Sequence, residues 1–128
     1  MADFNTPDNL LYQQSDEWLL VDGENGTVGI TDYAQDALND IVFIELPEVG
    51  ETFKKGEAFG TVESVKAAAD LNMPVDGEIV EVNESLEDTP ETINASPYED
   101  GWIIKIKITG STDGMLDAKG YEAYNETR

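Results

Sequence analysis

The sequence contains neither cysteine nor histidine. Without thiolate or imidazole, zinc sites, Cys or Ser–His nucleophiles and disulfide staples are excluded together, and any reactive sulfur must be imported. The lack of Cys also fits a reducing compartment. Positive charge is scarce: 7 Lys and Arg stand against 28 Asp and Glu, a formal charge of −21 over 128 residues. Duplex DNA, RNA and anionic bilayers are bound chiefly by neutralising phosphate with Lys and Arg, so this surface repels all three. No apolar run approaches the roughly 20 residues that a membrane helix needs. The opening MADFNTPDNL has neither the basic start nor the apolar core of a signal peptide, and it is too acidic for a transit peptide. The expectation is a soluble, cytoplasmic protein with no nucleic-acid and no membrane partner.

What is present belongs to a fold rather than a tail. Residues 1–64 and residues 65–128 each hold 14 acidic side chains, with no block long enough to mark an interaction tail. Hydrophobic residues make up 40% of the chain, which sets it apart from a disordered polyanion. The length suits one domain, residues 1–128, burying roughly two thirds of its unfolded surface.

The pattern along the chain is β-rich. Trp18 to Val21 and Thr27 to Ile30 read as a hairpin around the Gly-rich turn Asp22–Gly26. Thr31 and Asp32 suit the cap of a two-turn helix with Ala34, Ala37, Leu38 and Ile41 on one stripe. Ile41 to Leu46 is a β-branched and aromatic run closed by Pro47. Gly50, Gly56 and Gly60 punctuate short strands, and Gly77 to Val82 reads as another. Pro90 and Pro97 mark a long loop containing Ile93. Trp102, Ile104, Ile106 and Ile108 alternate with Lys105 and Lys107 as a last strand, and Met115 to Ala123 suits a terminal helix. Many short strands with Gly and Pro turns point to a closed or sandwiched β-structure of antiparallel strands, with short helices at its periphery.

Most charge clusters carry no chemistry. Glu84, Glu87, Asp88 and Glu91 have no partner that would separate their pKa values for acid–base work. Asp22–Gly26 lacks the further ligands and the closing Glu of a calcium loop and reads as a solvated turn. Trp18 and Trp102 read as core. Lys66 stands between two predicted strands, in Gly60-Thr61-Val62-Glu63-Ser64-Val65-Lys66-Ala67-Ala68-Ala69-Asp70. By local sequence alone it is an ordinary surface lysine.

The wider segment changes that reading. Gly50 to Val82 resembles the biotinyl/lipoyl domains, flattened β-barrel or sandwich hybrids that display a modified lysine at a hairpin turn. Gly50 and Gly77 frame Lys66 as glycines frame the lysine in lipoyl domains, and Val65 and Ala67 stand where biotin domains have methionines, so lipoate is the better match. The resemblance extends through Thr27–Gln35, Asp40–Pro47, Val62–Ala67 and Ser96–Trp102 to the H-protein family of the glycine cleavage system, from about Tyr12 to Tyr124. A lipoyl core of about residues 41–108 would then carry an N-terminal hairpin and a C-terminal helical extension.

The resemblance implies a carrier and not an enzyme. Lys66 would hold lipoate in amide linkage, with Gly50, Glu63 and Gly77 as candidates for recognition by the lipoylation enzymes. The arm would take an aminomethyl group from a pyridoxal-phosphate glycine decarboxylase and deliver it to a tetrahydrofolate-dependent aminomethyltransferase. A flavin (FAD) dihydrolipoamide dehydrogenase would reoxidise it. Imported lipoyl sulfur would complement the missing Cys. Ser15, Glu17 and Asp70 match the family positions that shield the loaded arm in a cleft, where a carboxylate faces a protonated amine. Asp16 departs from the family pattern, which generally has His before the Glu-Trp pair. The carrier is expected to be a monomer. A lipoate-relay or scaffold protein donating lipoyl groups to other domains would need the same lysine. Residues 1–53, with 12 acidic and no basic side chains, are expected to meet basic patches on the partner enzymes.

Overall fold

The structure, a computed structural model, describes residues 4–128. Residues 1–3, the start of the segment read for a signal peptide, lie outside the described residues. All strand pairs are antiparallel and fall into two unclosed sheets. The larger has the spatial order β1 (Leu11–Tyr12), β2 (Glu17–Asp22), β3 (Asn25–Ile30), β9 (Ile104–Ile108), β8 (Gly77–Val82), β5 (Thr52–Phe53). The smaller is β4 (Ile41–Glu45), β6 (Ala58–Ser64), β7 (Ala68–Asn72). Of the two expected solutions, closed or sandwiched, the chain adopts the sandwich. Leu19, Val28, Ile79, Ile104 and Ile106 of one sheet share a core with Ile44, Phe59, Val62 and Leu71 of the other.

Strand edges remain, and β7 is one of them. The Asn72 backbone turns away from β6: its N–H donates to Glu17 Oε2 at 3.0 Å and its carbonyl accepts from Gln13 Nε2 at 3.2 Å. Side chains from β2 and from the β1–β2 connection thus cover one end of an edge that water or another strand would otherwise take. Ala68 and Asp70 share the parity of Asn72, so their backbone groups face the same open side.

Several elements differ from the sequence pattern. α1 (Asp32–Leu38) is capped as expected, with Thr31 Oγ1 accepting from the Ala34 N–H at 3.2 Å. Asn39 then takes a left-handed φ of 64° and ends the helix, so Ala37 is exposed and Ile41 starts β4 instead of finishing the apolar stripe. Pro90 to Pro97 is not a plain loop: α3 (Thr92–Ala95) is a single turn that buries Ile93, and α2 (Ser85–Asp88), just ahead of Pro90, is another that buries Leu86. Turns this short leave no readable periodicity. Trp102 lies ahead of β9, half-buried against a second cluster, while Ile103 is buried in its place. α4 (Ala118–Glu126) begins three residues after Met115, where Asp117 accepts from Gly120 N–H at 2.7 Å.

The second cluster joins the two ends of the chain. Trp18 is buried, donates Nε1–H to the Pro97 carbonyl at 3.0 Å and packs against Tyr98, while Tyr12 stacks on Tyr121 of α4 at 4.7 Å. Gly29 is required under Trp18, because a Cβ there would stand 2.7 Å from the indole ring. Gly60 is required for a similar reason: a Cβ would sit 2.3 Å from the Glu45 carbonyl across the β4–β6 pair.

Candidate functional site

The β6–β7 hairpin places Lys66 at an exposed tip. Ser64 builds the turn: its N–H donates to the Ala67 carbonyl at 2.7 Å, and its hydroxyl accepts from the N–H groups of Lys66 and Ala67 at 3.2 and 3.0 Å. The hairpin also rests on the segment between α1 and β4, where the Val65 N–H donates to the Asp40 carbonyl at 3.1 Å. The Lys66 ammonium reaches the Ala37 carbonyl at 3.3 Å and, among the described residues, forms no ion pair. An amine held on a hydrogen-bonded turn and free of a carboxylate partner among the described residues is open to acylation.

Beside it lies an exposed apolar group. A bulge in β4 between Ile41 and Phe43 breaks the in–out alternation, so Ile41 and Ile44 point inward while Val42 and Phe43 are 54% and 50% exposed. Val65, next to the lysine, is 70% exposed. Glu63, opposite Phe43, is exposed on β6. Gly50 and Gly77 have separate backbone duties. Gly50, at φ 98°, donates its N–H to the Ile79 carbonyl at 2.8 Å, and a Cβ on Gly77 would stand 2.9 Å from the Lys107 carbonyl.

β7 leads from the lysine turn to a buried carboxylate. Glu17 is 1% exposed; its Oε1 accepts from Ser15 Oγ at 2.5 Å and Gln13 Nε2 at 3.0 Å, and its Oε2 from the Asn72 N–H. Ser15 and Glu17 are therefore brought together. Asp70 is exposed on β7 and, among the described residues, makes no hydrogen bond with either. Sequence reasoning missed Gln13 and the Asn72 amide; a backbone donor has no side-chain signature to read.

Burial pushes the Glu17 carboxyl up from about 4.5 to about 7, against the hydrogen bonds from Ser15 and Asn72, which favour the anion. Below the lower value both folded and unfolded chains hold this proton. Between the two values the unfolded chain releases it first, so rising pH lowers stability until the folded state ionises as well. The expected loss is on the order of 3 kcal/mol between pH 4.5 and 7. Glu17→Gln should flatten that segment of a chemical-denaturation series. An unchanged slope would show that Glu17 titrates normally.

A family model described as "Glycine cleavage H-protein" matches residues 10–128. The chain is 57% identical over 120 residues to the glycine cleavage system H protein of Chromohalobacter salexigens, covering 91% of this chain and 92% of that one. It is 53% identical over 123 residues to the H protein of Thermus thermophilus, covering 94% and 96%. Among solved structures, the crystal structure of the H protein from Mycobacterium marinum superposes with a TM-score of 0.88 at 40% identity, covering 94% of this chain and 98% of that one.

Proposed function

Because the chain belongs to the glycine cleavage H-protein family, the lipoyl carriers of the glycine cleavage system and not its catalysts, we propose that Lys66 is the residue that carries lipoate. The observation that carries this reading is the ammonium of Lys66, free of an ion pair among the described residues, on the Ser64-built turn at the start of an open strand edge that ends at Glu17. Bound lipoate supplies the redox-active sulfur that a chain without Cys lacks. Acylation removes the ammonium charge, so the tip enters a partner's cleft without desolvating a cation.

The chain's own residues offer a resting place for the arm. From Ala68 to Asn72, β7 spans roughly 13 Å at about 3.3 Å per residue. A lysine lengthened by an eight-carbon acid has a bond path of roughly 18 Å at about 1.5 Å per bond, enough to span that length. The outward backbone groups of Ala68 and Asp70 complement the one N–H and one C=O of the arm's amide. Ser15 and Glu17 at the far end supply a hydroxyl and an anion suited to an amine, and Asp70 contributes charge at the edge. On this reading residues 41–108 are the lipoyl core, and the flanking segments complete the cleft within a single carrier domain.

The partners are the pyridoxal-phosphate decarboxylase, the aminomethyltransferase, the FAD-dependent dihydrolipoamide dehydrogenase and the lipoylation enzymes, met by a cytoplasmic monomer. Gly50 and Gly77 serve the last of these by holding the hairpin's frame, and Glu63 by its charge near the lysine. Val42, Phe43 and Val65, with Asp40, Glu45 and Glu63 around them, suit an apolar pocket rimmed by Lys and Arg. Phe43→Ala is expected to raise a partner's KM for this protein roughly tenfold with kcat held. Raising salt should slow association of the native protein. A KM unmoved by the substitution and an on-rate indifferent to salt would place docking elsewhere.

Incubation with lipoate and its ligation enzyme, followed by intact mass and peptide mapping, tests the attachment site. One lipoyl group on Lys66 is expected, and one on any other lysine refutes the assignment. Passage of that group to another lipoyl domain in the presence of an amidotransferase would favour a relay over a carrier.

A further inference from the structure

Asp16, between Ser15 and Glu17, faces the opposite way from them. Its backbone has a left-handed φ of 81°, a conformation that Asp tolerates better than most residues. Its carboxylate forms an ion pair with Arg128 and accepts from the Tyr121 hydroxyl at 2.7 Å. Tyr121 in turn shares a 2.7 Å hydrogen bond with Thr31 Oγ1, the cap of α1. The Arg128 guanidinium lies 3.9 Å from the Tyr33 ring centre and 4.6 Å from that of Tyr124, so aromatic faces hold it as well as the anion. Burial opposes the charge on Arg128, but the hydrogen bond and charge of Asp16 outweigh it and raise its pKa.

The backbone carries this clamp to the candidate site. The Asp16 N–H donates to the Gln13 carbonyl at 3.0 Å, the Gln13 N–H to the Glu17 carbonyl at 3.0 Å, and the Thr31 N–H to the Asp16 carbonyl at 2.9 Å. Movement of Asp16 therefore moves Gln13, Ser15 and Glu17 together.

We propose that Asp16 and Arg128 form a latch between the turn that leads into β2 and the segment that follows α4, in which Arg128 is a positioning residue that sets the orientation and the charge of the Ser15–Glu17 pair. Its service to the arm rests on the function proposed above; the latch itself does not. The groups facing Glu17 are Gln13 and Ser15 from its own segment, the Asn72 amide from β7 and apolar Ile30 opposite it on β3. Asp16 is the charged side chain that acts on it, and its effect is to disfavour the Glu17 anion. Pairing with Arg128 offsets that negative charge, which keeps Glu17 more readily ionised and so better able to face an amine.

Opposite electrostatic signatures separate this role from mere support of α4. In protein without lipoate, carboxyl-carbon NMR should show Glu17 titrating higher in Arg128→Ala, where Asp16 is left unpaired. In Asp16→Asn it should titrate lower, each shift being on the order of half a unit. Asn accepts the left-handed backbone, and Arg128→Lys, which keeps the charge, should titrate close to the native protein. Shifts in the same direction, or none, overturn the latch. A parallel assay follows the lifetime of glycine-derived label on lipoylated protein, where Arg128→Ala should lose label severalfold faster and Arg128→Lys should recover most of the difference. If the titration behaves as expected and the lifetimes are equal, the latch exists without serving the arm, and its positioning role is refuted.

Discussion

Lys66→Arg should reduce glycine cleavage supported by this protein to background while leaving the fold intact. The lysine is exposed, and the hairpin around it is held by the Ser64 hydroxyl, the Ser64–Ala67 backbone bond and the Val65–Asp40 backbone bond, none of which uses the lysine side chain. Arginine keeps the charge and the reach toward the Ala37 carbonyl, but its guanidinium stays protonated near neutral pH and offers no amine for acylation. The substitution therefore removes one chemical capability and little else. Circular dichroism and thermal unfolding should match the native protein, whereas intact mass after lipoylation should show no adduct. Retained lipoylation would mean that another lysine carries the group.

Trp18→Ala should produce the largest loss of stability among single side chains of the second cluster. The indole is 1% exposed, covers Gly29, packs against Tyr98 and donates to the Pro97 carbonyl. Truncation opens a cavity and leaves that carbonyl without its donor, a combined cost of about 3–5 kcal/mol. The melting temperature should fall on the order of 10–20 °C. Because Trp18 follows Glu17 directly in β2, the Ser15–Glu17 pair should loosen with it, while the lysine hairpin in the other sheet keeps its turn bonds. Lipoylation of Trp18→Ala below its melting temperature should consequently remain near native. A stability loss under about 1 kcal/mol would show that α4 and the Pro97 segment do not depend on the indole.

The lysine turn came from the resemblance to lipoyl domains, whereas local chemistry made the β2–β3 hairpin, the Thr31 cap and the alternation of β9 legible in the sequence. Each is written over a few residues: a glycine turn, a capping hydroxyl, isoleucines two apart. Features set by the meeting of distant segments were not legible. The β4 bulge that exposes Phe43 depends on pairing with β6, and α2 and α3 are too short to show a period. Glu17 entered as a cleft carboxylate only through the resemblance; its burial and its bond from the Asn72 N–H, 55 residues away on the β7 edge, are set by tertiary contact. Asp16, the departure from the family pattern, finds its counter-charge 112 residues away in Arg128. Asp70 is the converse case, a position taken from the resemblance that stays exposed and, among the described residues, makes no hydrogen bond with Ser15 or Glu17.

The proposed function comes down to one acylated lysine carrying a group derived from glycine. Its most direct test is to incubate lipoylated protein with a glycine decarboxylase and isotopically labelled glycine, then to locate the label by peptide mass. One label per chain, confined to the lipoyl group of the Lys66 peptide and absent from protein without lipoate, is the expected result. Label on a different residue, or none with a decarboxylase that loads another H protein in the same assay, would contradict it.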